Sequence, residues 1–424
     1  MLQQAVSFPP DSQSDSPNQP TPTPPGPAAP PAERDALIDA LRGAALLGIA
    51  IVNAPAIAIA SVGFSDASLA SAFDRAVALA AIALIQSKFY LIFSFLFGYS
   101  LPYTLQNQGR GPQPRLRRRL AGLALLGLLH GLLLFSGDIL LLYAAVGAVM
   151  LLVVGRSDRV VLAVAALALA LWCLALGERL LAGSAEDAGQ WAFQTKMASI
   201  DARLAGGTFW EAARARLELS PIVQSATFLF YGLAVLTAFC VGLVGGRRQW
   251  LRAPALQSPR WRHAIAWGLV LGLPGALLAA WWLVGPGRSF TSPGPDQILA
   301  LTVGLASAPA LSLAYVGLLA HVQARWPGSL ALFRPAGRMA LSFYLASSLL
   351  MALFACGFGL GLMGRYSAAT VVGLALVVWL LLALLAQQWL RCFERGPVEQ
   401  LLHRWSRAGE LRAASAPGIG DARH

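Results

Sequence analysis

Charge is scarce in this chain of 424 residues: Asp, Glu, Lys and Arg together make 12% of it, against roughly 25% in soluble globular domains. Lysine is almost missing. Lys88 and Lys196 are the only two, so the net charge of +12 is carried by arginine. Cysteine is sparse as well, and Cys173, Cys240, Cys356 and Cys392 form no close-spaced pair of the kind a metal or redox site needs. No Walker A loop, GxSxG elbow or HExxH zinc motif occurs, nor a histidine followed five positions on by aspartate. An ATP-driven pump, a serine hydrolase and a zinc peptidase therefore find no support.

What fills the space is apolar. Hydrophobic residues make 57% of the sequence, above the roughly 45–50% of soluble domains. They are gathered into stretches of about 20, the length a helix needs to cross a hydrocarbon core of roughly 30 Å. The expectation is an all-α, polytopic membrane protein. Ten candidate spans fall near 38–62, 80–105, 118–136, 138–155, 160–182, 222–245, 264–285, 297–321, 338–361 and 368–391.

The arginines orient the spans. They cluster in alternate connections, among them "GRGPQPRLRRR" (Gly109 to Arg119), "GRRQWLRAPALQSPRWRH" (Gly245 to His263) and "ARWPGSLALFRPAGR" (Ala324 to Arg338). Placing these in the cytoplasm puts both termini there and leaves chiefly Arg288 and Arg365 in the short outer loops. Membrane topology thus explains the basic balance without nucleic acid. Residues 1–33, with ten prolines in the first 32 and no basic n-region before an apolar core, read as a disordered cytoplasmic tail. The membrane domain spans 34–408, and 409–424 reads as a flexible tail. The outer segment 183–220 mixes acids and bases and is expected to hold one or two amphipathic helices lying against the outer face.

Ionisable side chains inside spans cost roughly 2.5–3.5 kcal/mol each on insertion scales, so each one raises a functional question. By depth they form two sets. Asn53, Lys88, His130 and Asp138 reach the outer half, Asp138 in a "SGD" turn where it can cap the next helix. Asp39 and Arg42, with Asp35, enter the first helix at the inner face, beside Arg117, Arg118 and Arg119 and beside Arg338, Ser342 and Tyr344 of the ninth span. On a helix, Asp35, Asp39, Arg42 and Asn53 share one stripe. Plainer readings account for these residues too: Asp39 and Arg42 as an i, i+3 ion pair, His130 as a hydrogen bond between helices, Lys88 as a snorkelling side chain. "GLGLMG" (Gly359 to Gly364) fits GxGxxG, but it ends a membrane helix and follows no strand; close packing or an outer bend explains it better than a dinucleotide.

Several segments together resemble the YeiB-like family of bacterial inner-membrane proteins. They are "LIDALRGAALLGIAIVN" (Leu37 to Asn53), "KFYLIFSFLFGYSL" (Lys88 to Leu101), "LLGLLHGLLLFSGDILLLYAAVG" (Leu125 to Gly147), "GRMALSFYLASSLL" with "GFGLGLMGRYS" (Gly337 to Ser367), and "WLRCFERGPVEQLLHRWS" (Trp389 to Ser406). This family is in turn similar to the transmembrane acyltransferases, which include heparan glucosaminide N-acetyltransferase. The shared features are an Asp-x-x-Arg-Gly helix ending in Val-Asn (Asp39, Arg42, Gly43, Val52, Asn53) and a Gly-x-x-x-Leu-x-x-Tyr helix (Gly337, Leu341, Tyr344). The resemblance implies transfer of an acyl group from cytoplasmic acyl-CoA, as co-substrate, to a small-molecule or glycan acceptor at the outer face of the inner membrane. One departure stands out. The heparan-type enzymes carry an active histidine shortly after the first helix, where this chain has "APAIAIASVGFSDASLA" (Ala54 to Ala70).

On that expectation Asp39, Arg42, Arg119, Arg338 and Tyr344 form the coenzyme A side, the arginines holding its phosphates. His130 is the candidate general base, Asp138 orients it, and Asn53 or Lys88 stabilises the oxyanion. No metal site is expected. The competing expectation is a secondary transporter or exporter that couples protons through Lys88, His130 and Asp138, for which paired discontinuous helices would be the mark.

Overall fold

A computed structural model describes residues 31–106, 112–182, 187–252, 259–290 and 295–414. The described residues are helical throughout, joined by turns, with a single two-residue bridge in place of any strand. Residues 1–30 and 415–424, most of the two expected tails, and the side chain of Asp35 lie outside them.

Helix α1 (Pro31–Ala58) runs through the middle of the bundle, in contact with helices from both halves of the chain. The second run is not one helix. It comprises α2 (Ala72–Ala80), a wide π turn (Ala81–Ile85), a break at Gln86 to Lys88 and α3 (Phe89–Gln106). Ser87 in the break has φ +67°, left-handed backbone that a β-carbon makes unfavourable. Helices α4 (Pro112–Leu133) and α5 (Leu140–Val153) form a hairpin, followed by α6 (Asp158–Ala182). At the end of the bundle that the arginine pattern assigns to the outer face, α7 (Asp187–Gly206) lies on the first turns of α8 (Phe209–Arg247), which start from a Thr208–Glu211 capping box. Helices α9 (Pro259–Val284) and α10 (Pro295–Arg325) pair with each other. The chain closes with α11 (Arg334–Arg338), α12 (Ala340–Ala355), α13 (Ala368–Cys392) and α14 (Pro397–Ala414).

Among the described residues seven helical runs are long and apolar enough to cross a membrane, Ala72–Thr104 counted as one despite its break. A bent pair, in which Ala331–Arg338 meets Ala340–Ala355 at 91°, makes an eighth when the two are taken as one span. The remaining two of the ten apolar runs are the α4–α5 hairpin, and the reason is physical. Helix α4 opens on Arg115, Arg117, Arg118 and Arg119, and the 14 residues of α5 rise about 21 Å, short of the roughly 30 Å of a hydrocarbon core. The chain is an all-α, multi-pass membrane protein. Helix α14 continues to Ala414, past the start of the expected tail.

Two glycines explain how the inner ends pack. A β-carbon on Gly43 of α1 would lie 1.9 Å from the Phe333 carbonyl oxygen, and one on Gly337 of α11 would lie 1.8 Å from the Asp39 carbonyl oxygen. Backbone therefore meets backbone at both points, as small residues permit between membrane helices. The contact brings Asp39 and Arg42 of α1 beside Arg338. At the outer end the "GLGLMG" segment forms turns, with Gly361 and Gly364 at φ +64° and +74° and the Gly364 N–H on the Ala58 carbonyl.

Candidate functional site

The end of the bundle that the arginine pattern assigns to the inner face carries a hollow of about 580 Å³, walled by Arg115, Arg119, Arg338 and Arg395 together with Glu399 and His403. A narrower extension of about 170 Å³ shares Arg119, Arg338 and Glu399 with it, takes in Arg42, and ends inward at Leu140 and Tyr143. Four arginines at the mouth and a fifth inside make this space attractive to anions. Arg42 bonds Asp39 at 3.2 Å and also the Ser100 hydroxyl, so its guanidinium is fixed in position. Arg338 donates to the Glu394 carbonyl at 3.2 Å.

One wall of this hollow is the closing helix α14. Its Glu399 reaches the start of α12, where Oε1 accepts the N–H groups of Leu341 (2.6 Å) and Ser342 (3.1 Å) and Oε2 accepts the Ser342 hydroxyl (2.6 Å). A carboxylate from a distant helix thus caps the orphan donors left by the 91° bend. Trp405 of α14 donates to the Arg118 carbonyl at 3.2 Å, tying the same helix to α4.

At the outer end lies a second hollow, of about 340 Å³, formed by α1, the helix break, the α4–α5 turn and α8. Asn53 lines it, and its amide makes no hydrogen bond to another described residue. Tyr90 lines it too, with a buried hydroxyl that has no partner.

Between the two hollows stands the first turn of α5. Leu140 and Tyr143 roof the inner extension, while Gly137 and Ile139 line the outer hollow. Asp138 sits among them and is fully buried. His130 Nδ1 lies 2.8 Å from Asp138 Oδ1, and the other carboxylate oxygen accepts the Leu141 N–H at 3.0 Å, the cap expected of the "SGD" turn. His130 Nε2 is buried without a partner. With Asp138 accepting at Nδ1, the neutral imidazole carries its proton there and keeps the Nε2 lone pair free.

Tyr344 belongs to this cluster rather than to the inner set in which the sequence groups it. Its ring centroid is 4.8 Å from that of His130 and its hydroxyl is 3.5 Å from Asp138 Oδ1. Tyr344 stands in the second turn of α12, which starts at Ala340 after the 91° bend.

The four outer residues divide among three places. His130 and Asp138 form the dry pair, Asn53 faces the outer hollow, and Lys88 lines a neighbouring cavity of about 120 Å³ between α3 and the α9–α10 pair. Lys88 is not bonded to Asp138. Its Nζ donates to the Ile82 carbonyl at 3.2 Å, across the helix break. Phe135, edge-on to His130 with ring centroids 6.3 Å apart, also lines the outer hollow and so connects the pair to it. Among the described residues no three His, Cys, Asp or Glu side chains converge as metal ligands.

Several supporting side chains carry no signal in the sequence, because they hold backbone. Gln224 of α8 donates to the carbonyls of Ser136 (3.0 Å) and Asp138 (3.1 Å), pinning the turn that carries the acid. Arg216, buried and with no carboxylate beside it, donates to the Leu133 carbonyl at 2.9 Å and to Cys356 Sγ at 3.0 Å. It thereby satisfies the end of α4, three residues beyond His130. The Tyr143 hydroxyl donates to the Tyr90 carbonyl and accepts from Ser94, both at 2.8 Å, closing the divide between the two hollows.

Comparison with known proteins gives a consistent answer. Residues 245–409 match the family described as "Protein of unknown function (DUF418)". The chain is 28% identical over 398 residues to the uncharacterized protein YxaH of Bacillus subtilis, covering 87% of this chain and 93% of that one. It is 30% identical over 403 residues to the uncharacterized protein YeiB of Escherichia coli, covering 90% of this chain and 97% of that one. No solved structure matches.

Proposed function

We propose, for a chain that belongs to the YeiB-like family characterised by DUF418, that it moves an acyl group across the bacterial inner membrane from cytoplasmic acyl-CoA to an acceptor hydroxyl or amine at the outer face. The observation that carries this reading is the position of the His130–Asp138 pair, at the one turn that walls both the arginine-lined inner hollow and the outer hollow.

The residues divide the work. Arg119, Arg338, Arg115 and Arg395 hold the phosphates of the donor at the inner mouth, and Arg42, fixed by Asp39 and Ser100, meets the arm that reaches inward. The acceptor occupies the outer hollow beside Asn53. Its O–H or N–H loses a proton to His130 Nε2 as the oxygen or nitrogen attacks the thioester carbonyl. The C–S bond then breaks, and the imidazolium returns the proton to the departing thiolate. Asp138 keeps Nδ1 protonated and stabilises the imidazolium as it forms. Asn53 is the amide best placed to meet the developing oxyanion. The acceptor reaches Nε2 once Phe135 and Tyr143 move aside, which makes opening of this divide a step of the cycle.

Mass spectrometry of envelope glycans and small metabolites from a deletion strain tests the reading. One acyl modification is expected to vanish, and to return with the wild-type gene but not with His130→Ala. An unchanged acylation profile would overturn it.

One observation favours a second reading, solute transport. The helix break at Gln86 to Lys88, with buried Lys88 beside a cavity, is the kind of discontinuity that forms transporter sites. Solute uptake into proteoliposomes driven by a pH gradient, and abolished by Lys88→Gln, would support it instead.

A further inference from the structure

Lys88 is 1% exposed, and its single protein partner is a carbonyl oxygen. An ammonium group has three donors, so two have no partner among the described residues. Four described acids at this end of the bundle are engaged elsewhere: Asp66 with Ser289 and Phe290, Asp74 with Ser71 and Ala369, Asp138 with His130 and Leu141, and Asp201 with Ser61. A buried cation without a counter-charge is costly enough that proteins pair it or neutralise it. Here there is also room for a partner, because the Lys88 cavity has a volume of about 120 Å³.

That cavity is not isolated. It shares Ile82, Gln86, Ser87 and Tyr231 with the outer hollow of about 340 Å³. The helix break is the partition between the two, and α3 starts there, so its first N–H groups add to the positive end. The Gln86 side-chain amide lies on the same partition. The remaining wall is largely apolar, with Phe230, Ala279, Leu283 and Leu305 on one side and Ile51, Val52 and Phe290 on the other.

From this we infer that the break at Gln86 to Lys88 is a binding subsite for an anionic group, carboxylate or phosphate, carried by a ligand whose uncharged body fills the outer hollow beside Asn53. Lys88 supplies the charge, and the Gln86 amide with the α3 N-terminus supplies the directional donors. The left-handed Ser87 is what opens the helix to admit the anion. Among outer-face ligands this selects acids over neutral alcohols or sugars. The subsite serves an acyl acceptor and a transported solute equally, so it stands apart from the choice between the two functions.

Because Lys88 and Lys196 are the only lysines, and Lys196 is exposed on α7, the test is clean. The full-length protein in lipid nanodiscs is acetylated with the N-hydroxysuccinimide ester of acetic acid, and both lysines are followed by peptide mass spectrometry. Hexanoate, hexyl phosphate and hexanol are the probes, with the same body and different heads. At least one anion is expected to slow Lys88 acetylation by about tenfold at a concentration roughly ten times its dissociation constant. Lys196 should be unaffected and hexanol without effect. The better of the two anions distinguishes carboxylate from phosphate. Equal protection by hexanol, protection by neither anion, or a Lys88 that never reacts while Lys196 does would each overturn the subsite. None of these results bears on acyl transfer, which the deletion strain and His130→Ala report separately.

Discussion

Substituting Gly337 by alanine tests the packing that assembles the inner hollow. The added β-carbon would lie 1.8 Å from the Asp39 carbonyl oxygen, where contacts under 3.0 Å essentially never occur. The obstructing atom is backbone on α1, so no side chain can swing away, and α1 and α11 must separate by more than about 1 Å. Overpacking of this kind costs typically 1–3 kcal/mol, occasionally more. Gly373 in α13 gives the matched control, since nothing lies within 4 Å of its added β-carbon. There the change removes a flexible residue from a helix interior and should be neutral or stabilising by up to about 1 kcal/mol. Thermal unfolding of both variants in the same detergent, followed by tryptophan fluorescence, reads the contrast. A Gly337→Ala protein that melts with wild type would refute the backbone contact, and with it the placement of Asp39 and Arg42 beside Arg338.

Other perturbations target single contacts. Gln224→Leu strands the carbonyls of Ser136 and Asp138, at about 1–3 kcal/mol for each buried group left unpaired, and should lower the melting temperature more than Thr227→Val on the next turn of α8. Glu399→Gln replaces an acceptor-only carboxylate at the start of α12, so trypsin is expected to cut within Arg391 to Arg404 faster than in wild type. Burial holds the Asp201 carboxyl above its ordinary value near 3.8, outweighing the Ser61 N–H that favours the anion. A raised folded-state pKa means the folded protein holds its proton more tightly. The stabilising contribution is therefore full below the ordinary value and is lost as pH rises through the raised one. Asp201→Asn should remove that slope from the melting temperature measured across mildly acidic pH.

Much of the architecture is legible in the sequence, since apolar runs of membrane length report an all-α, multi-pass membrane fold directly. The pairing of His130 with Asp138 is legible as well, because a short turn joins α4 to α5 and limits where the acid can go. The breaks are not. The run from Ala72 to Gln106 looks continuous in composition, and only the backbone shows the π turn and the left-handed Ser87. The bend at Met339 hides in the same way, and so does the approach of Tyr344 to His130. Arg216 and Gln224 escape notice for another reason. Gln224 meets carbonyl oxygens, which every residue carries, and Arg216 meets a carbonyl and a cysteine sulfur, so no charged partner points to either.

The measurement closest to the central claim uses membrane vesicles with the cytoplasmic face outward, supplied with acetyl-CoA labelled in the acetyl group. Wild-type vesicles should build up label on a lumenal product that external thioesterase and esterase cannot reach. His130→Ala and Asp138→Asn vesicles holding equal protein should not. Lumenal label that accumulates equally in all three would contradict a catalytic role for the pair at the divide between the two hollows.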